Sequence, residues 1–131
     1  MVRYYYSFTI FYRLPLIGSF QYLYKKSKMK FSGRVCVCGA GTMGRGIAQV
    51  SAQSGFTTIL YEPNEQVLRS AESGIFDQLE VLVKKGKMDQ TKMETVRANL
   101  SFTNRLEDCR ADLFIEAIIE DASVKIVFSI A

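Results

Sequence analysis

The chain has no histidine, only two prolines and only three cysteines in its 131 residues. Without histidine it has no side chain whose ordinary pKa falls near neutrality, so proton transfer that depends on such a base has no candidate here. The cysteines, Cys36, Cys38 and Cys109, are an odd number with no Cys-x-x-Cys spacing and no histidine partner. They read as reduced, buried thiols of a cytosolic protein, since free Cys packs as a small hydrophobe. Cys36 and Cys38 would share one face of a strand, which leaves a metal or redox role as the alternative. Acidic residues are missing from residues 1–30, which hold six bases (Arg3, Arg13, Lys25, Lys26, Lys28 and Lys30). That leaves 11 bases against 13 acids in residues 31–131, so the net charge of +4 belongs to the leader. A nucleic-acid partner argued from net charge alone fails on that split.

An uninterrupted apolar run is also lacking. In residues 1–30 a crowd of tyrosines and phenylalanines is broken by Arg13 and Pro15 and closed by Lys25-Lys26-Ser27-Lys28. The break denies both a secretory signal and a membrane span of about twenty apolar residues. A mitochondrial presequence fits the lack of acids but would be rich in Arg and Ser rather than Tyr. The segment is read as a basic, aromatic-rich extension, disordered or mispredicted, with Met29 as the natural start. Residues 31–131 carry no repeat, low-complexity tract or membrane span, and their size suits one domain.

The pattern organising that domain is Val35-Cys36-Val37-Cys38-Gly39-Ala40-Gly41-Thr42-Met43-Gly44. A short apolar strand, Arg34–Cys38, runs into Gly-x-Gly-x-x-Gly and then a helix through Ala52 with Met43, Ile47 and Val50 at helical spacing. Gly39 permits a sharp turn, Gly41 lets the backbone come close to a pyrophosphate, and Gly44 lets helix and strand pack closely. The phosphate charge would sit on the free N–H groups and positive end of that helix. Thr57–Tyr61 is a second strand, and Glu62 stands at its tip, twenty-one positions after Gly41. A carboxylate there binds the adenosine ribose hydroxyls of a dinucleotide and repels a 2′-phosphate, which favours NAD over NADP.

Asn64–Lys85 reads as a long helix on the stripe Val67, Leu68, Ala71, Ile75, Leu79, Leu82 and Val83, ended by Gly86. Thr91-Lys92-Met93-Glu94 reads as a capping box for a further helix through Ala98. Two consecutive helices are an insertion beyond a minimal βαβ unit, and Lys84, Lys85 and Lys87 lie at their junction. Such a cluster complements a helix C-terminus in solvent or attracts a phosphorylated ligand. Leu100–Thr103 and Leu113–Ala117 are third and fourth strands flanking a helical turn at Leu106–Cys109, and Ser123–Ala131 begins like another helix. The expectation is an α/β, doubly wound parallel sheet of Rossmann type with a helical-pair insertion, C-terminally incomplete.

The runs Val35–Val50, Leu60-Tyr61-Glu62, Leu82–Lys87 and Leu113-Phe-Ile-Glu-Ala-Ile-Ile-Glu120 together resemble the NAD-binding domain of the 3-hydroxyacyl-CoA dehydrogenases, especially the bacterial 3-hydroxybutyryl-CoA enzymes. The resemblance covers about Phe31 to the end. It implies that the backbone of Gly39, Gly41, Thr42, Met43 and Gly44 holds the NAD pyrophosphate and that Glu62, in place of the more usual Asp, binds the adenosine ribose. It implies that Ala117, Glu120 and Lys125 lie along the nicotinamide half, and that Lys84, Lys85 and Lys87 face the CoA part of an acyl-CoA substrate. It further implies a role in fatty-acid metabolism, a cytoplasmic location with no nucleic-acid or membrane partner, and a homodimer formed through a second domain. In that family the catalytic histidine, its glutamate and the substrate-positioning Ser and Asn lie downstream of the matched region. The chain therefore reads as a truncated, catalytically silent NAD-binding domain, with no catalytic residue and no metal site. The rival readings are a stand-alone dinucleotide-binding module or pseudoenzyme, and a flavin or NADP enzyme, which Glu62 opposes.

Overall fold

In the computed structural model the described residues are 5–10, 33–117 and 124–129. The strands are Tyr5–Ile10 (β1), Arg34–Cys38 (β2), Thr57–Tyr61 (β3), Leu100–Thr103 (β4), Leu113–Ala117 (β5) and Val124–Ser129 (β6). The helices are Thr42–Gln53 (α1), Glu65–Lys84 (α2) and Gln90–Asn99 (α3), with a 3-10 turn at Leu106–Asp108. The sheet order is β1-β6-β5-β2-β3-β4. Strands β5, β2, β3 and β4 are parallel, as βαβ crossovers require, whereas β6 runs antiparallel to β5 and β1 antiparallel to β6.

The parallel register sorts alternate residues onto two faces. Val35 pairs with Thr58 and Leu113, and Val37 with Leu60 and Ile115, so these six share a face. All six are buried, the apolar five in one cluster with Ile47, Ala48 and Ala52 of α1, Leu68, Ala71, Ile75 and Leu79 of α2, and Met93 and Val96 of α3. Fully burying a Leu, Ile or Val side chain contributes about 1.5–3 kcal/mol, so this layer holds the domain together. Helix α1 approaches through small residues: its buried positions are Gly44, Ile47, Ala48, Ser51 and Ala52, one step round from the expected Met43-Ile47-Val50 stripe. In α2 the buried stripe is Leu68, Ala71, Ile75 and Leu79, while Val67 remains exposed.

Helix α3 closes the layer from below. Lys92 Nζ donates to the Gln53 carbonyl at the end of α1, and Asn99 Nδ2 donates to the Ala52 carbonyl, which also accepts from Gly55 N. The Arg97 guanidinium lies 4.6 Å from the centre of the Phe76 ring, and Phe76 meets Phe102 edge to face at 5.8 Å.

Three expectations about local structure change. Asp89, not Thr91, is the N-cap of α3: its Oδ1 accepts from Lys92 N at 2.6 Å, the helix starts at Gln90, and Thr91 lies inside the first turn. An Asp two residues earlier offers an equally good cap and adds helix, so the Thr-x-x-Glu pattern loses. Val124–Ser129, expected to begin like a helix, is strand β6, which the β-branched run Val124, Ile126, Val127 favours. Within the stretch read as an extension, Tyr5–Ile10 forms β1 and pairs with β6. Among the described residues no helix is long and apolar enough to cross a membrane.

Candidate functional site

The chain reverses at the C-terminal ends of β2, β3 and β5, where open parallel sheets bind ligands. Gly39 turns the backbone with φ +105°, and its N–H donates to the Tyr61 carbonyl at 2.8 Å. A Cβ on Gly39 would stand 2.8 Å from the Ala117 carbonyl oxygen, and one on Gly44 would land on the carbonyl of Gly39. Both positions thus need glycine, for the turn and for close approach to Ala117 at the end of β5. Gly41 is the N-cap of α1 at φ −66°, ψ −175°, angles open to any residue, so the conformational demand rests on Gly39.

The helix ends show what this loop is built to leave free. Asn64 caps α2, its Oδ1 accepting from Gln66 N at 3.0 Å and Val67 N at 3.2 Å, and Asp89 caps α3. Helix α1 has neither: Gly41 offers no side chain, and its first turn holds no acid. The first N–H groups of α1 are therefore left for an anion from outside the helix.

Glu62 lies against this end. Its backbone N–H donates to Thr103 O at 3.1 Å, which places it at the tip of β3. Its Oε2 accepts from Ala40 N at 3.1 Å and its Oε1 from Asn64 N at 3.0 Å. The carboxylate thus spans the glycine loop and the start of α2, with lone pairs remaining for further donors. Beside it a groove of about 340 Å³ opens between α1 and α2, lined by Ala40, Gly41, Thr42, Arg45, Gln66 and Ser70 among others. Arg45 escaped the sequence reading. Its guanidinium lies along Gly74, where a Cβ would come within 2.6 Å, and a glycine facing an arginine across two helices leaves no pattern in one sequence.

Of the residues singled out from sequence, Gly39, Gly41, Thr42, Met43, Gly44, Glu62 and Ala117 converge at this rim. Lys125 lies on β6 with its backbone paired to Glu116, one step before Ala117 in β5. Glu120 falls outside the described residues. Lys84, Lys85 and Lys87 are exposed at the far end of α2. That helix has 20 residues, about 30 Å of rise, which separates the three lysines from the loop. Among the described residues no group of three or more Cys, Asp or Glu side chains is arranged to hold a metal ion.

Residues 34–129 match the family model described as "3-hydroxyacyl-CoA dehydrogenase, NAD binding domain". The chain belongs to this family. It is 40% identical over 93 residues to a 3-hydroxybutyryl-CoA dehydrogenase of Mycobacterium tuberculosis, covering 70% of this chain and 32% of that protein. Identity to a probable 3-hydroxybutyryl-CoA dehydrogenase of Deinococcus radiodurans is 41% over 98 residues, covering 74% of this chain and 34% of the other. The crystal structure of 3-hydroxybutyryl-CoA dehydrogenase from Escherichia coli K12 superposes with a TM-score of 0.63 at 36% identity, covering 66% of this chain and 19% of that one. The chain thus spans about a third of the length of its curated relatives. It is a Rossmann-type domain of the 3-hydroxyacyl-CoA dehydrogenase family, whose cofactor is NAD.

Proposed function

We propose that this chain is the NAD-holding part of a dehydrogenase that interconverts the 3-hydroxyl and 3-keto groups of a short acyl-CoA in fatty-acid metabolism, and that these 131 residues alone bind NAD without turning substrate over. The observation that carries the reading is the uncapped N-terminus of α1 facing the Glu62 carboxylate. The two features ask for opposite things, an anion and a hydroxyl-bearing group, a few ångströms apart. A dinucleotide supplies both, its pyrophosphate to the N–H groups from Thr42 to Gly44 and its adenosine ribose to Glu62. Gly39 and Gly44 keep the space that the loop needs. By the family resemblance, Ala117, Glu120 and Lys125 are assigned to the nicotinamide half of the cofactor, and Lys84, Lys85 and Lys87 to the CoA phosphates.

When bound, the nicotinamide supplies the hydride chemistry, and the protein must supply orientation and a proton acceptor. The residues here orient. No histidine is present to accept the hydroxyl proton, and the half-exposed Glu62 is engaged with backbone N–H groups at the other end of the cofactor. By the same reading the full-length protein works in the cytoplasm as a homodimer assembled through a further domain.

Calorimetric titration with NAD and NADP tests the binding. NAD binds more tightly in the unmodified chain, and Glu62→Ala narrows the preference by removing the charge that repels a 2′-phosphate. Equal affinity for NADP in the unmodified chain overturns the NAD assignment. Measurable oxidation of NADH with acetoacetyl-CoA overturns the proposal that the chain is catalytically silent.

A further inference from the structure

All three cysteines meet on the sheet face opposite the helices. Cys36 and Cys38 alternate with the buried Val35 and Val37 along β2, and their sulfurs lie 4.0 Å apart. Cys109 arrives from a different segment, just after the 3-10 turn, and its thiol interacts with that of Cys36 while donating to the Arg105 carbonyl at 3.7 Å. Cys36 is fully buried, whereas Cys38 and Cys109 are half-buried. Two segments 71 positions apart thus bring every thiol of the chain to one spot, next to the glycine turn.

We propose that Cys36, Cys38 and Cys109 form a peroxide-reactive thiol site whose oxidised product is a disulfide from Cys109 to strand β2. The inference does not depend on the identity of the cofactor. Cys38 is the entry point because it is only half-buried, unlike Cys36, and its sulfur lies 4.0 Å from that of Cys36. Donation by Cys36 holds the Cys38 thiol below its ordinary value, against opposing effects of burial and the Glu116 carboxylate. The same contact and burial push the Cys36 thiol far up, so Cys36 keeps its proton.

Attack by the Cys38 thiolate breaks the peroxide O–O bond. Sulfur is oxidised by two electrons and keeps one peroxide oxygen as the hydroxyl of a sulfenic acid, while the other oxygen leaves as hydroxide or alkoxide and is protonated to water or an alcohol. A neighbouring thiol then displaces the sulfenic hydroxyl, an S–S bond forms, and water leaves with that thiol's proton. A bridge within β2 is the poorer product. Alternate strand residues lie about 6.6 Å apart at Cα, at the upper edge of disulfide geometry. Cys109 sits in a connection between strands, where the backbone can adjust, and thiol–disulfide exchange carries the bond to it.

Trypsin would release Val35–Arg45, which holds Cys36 and Cys38, and Leu106–Arg110, which holds Cys109. The folded chain, treated with hydrogen peroxide, alkylated with N-ethylmaleimide and digested without reductant, is expected to yield these two peptides covalently joined. Two of the three thiols lose their label, dithiothreitol restores them, and an isotope-mixed sample shows the link to lie within one chain. Cys109→Ser, checked for folding by circular dichroism, is expected to lose the link while Cys38 still forms a dimedone-trappable sulfenic acid. The proposal is overturned if Cys109 keeps its full label while Cys38 proceeds to sulfinic acid. It is equally overturned if the joined peptides come only from two different chains.

Discussion

The two faces of this sheet are built from the same strands but to different specifications. Under α1, α2 and α3 lie Val35, Val37, Leu60, Leu113 and Ile115, aliphatic and at most 1% exposed. On the other face the same strands present Cys36, Cys38, Ile59, Tyr61, Phe114 and Glu116, of which only Cys36 is fully buried among the described residues. The first face is close-packed and has no reactive atom. The second carries every thiol and an exposed carboxylate. Stability and chemistry are thus divided by the two-residue period of a strand, and a one-residue shift of register would exchange them.

The largest test of this division compares neighbours on β3. Leu60→Ala leaves a cavity in the aliphatic layer and is expected to cost about 2–5 kcal/mol of unfolding free energy. Ile59→Ala, one residue earlier and half-buried, is expected to cost less than half as much, because its environment is already partly solvent. Urea melts of the two variants decide the matter. Equal losses would mean that the second face is as tightly held as the first.

The rim where both faces meet the glycine loop comes next. Gly44→Ala places a methyl on the carbonyl of Gly39 and forces α1 away from β2 and β5. Overpacking of this kind costs about 1–3 kcal/mol. The same movement displaces the N–H groups of α1, so NAD affinity is expected to fall by at least about tenfold, a loss of roughly 1.4 kcal/mol. A variant that loses stability but keeps its affinity would separate the packing role of this glycine from the cofactor site.

Helix caps provide a smaller contrast within the helical layer. Asn64→Ala and Asp89→Ala each remove an N-cap that the structure uses, and each is expected to cost about 1 kcal/mol in thermal or urea unfolding. For α1 no such cap exists to remove. Added phosphate or NAD is expected to raise the melting temperature by binding that open end. A cap deletion without effect would show that α2 and α3 are held by packing alone.

Much of this was legible in the residues themselves. The four parallel strands match their expected spans because each is a short apolar or β-branched run bounded by Gly, Pro or polar residues. The glycine loop and Glu62 were legible because their spacing encodes a turn and a strand tip. Contacts between distant segments were not. Nothing local marks Cys109 as the neighbour of Cys36, Arg45 as the neighbour of Gly74, or Ala40 N–H as a donor to Glu62. Two of the misreadings share one cause, a local signal with two outcomes: Thr91 competed with Asp89 as a cap, and the Val124–Ser129 run suits strand as well as helix.

The finest distinction lies inside the second face, between two half-buried thiols that differ only in their neighbours. Contact with the Cys36 S–H holds Cys38 below the ordinary thiol value of 9.0, while Cys109 is raised, chiefly by burial. Cys38 therefore loses its proton first as pH rises. In the folded chain the alkylation rate of Cys38 by iodoacetamide, followed by fragment mass spectrometry, is expected to reach half its maximum below pH 9 and that of Cys109 above it. The sign for stability follows the same pKa values. Cys36 and Cys109 are raised, so their contribution is complete below pH 9 and declines as pH rises, because the unfolded chain releases those protons more readily. Cys38 is lowered, so its contribution is present above pH 9 and is lost as pH falls through its folded value. Replacing the donor in Cys36→Val should move the Cys38 profile upward, since that contact is its largest lowering influence, and should also move Cys109 upward, which Cys36 lowers against burial. A Cys38 midpoint at or above 9.0 in the unmodified chain would mean that the 4.0 Å thiol pair does not polarise that sulfur.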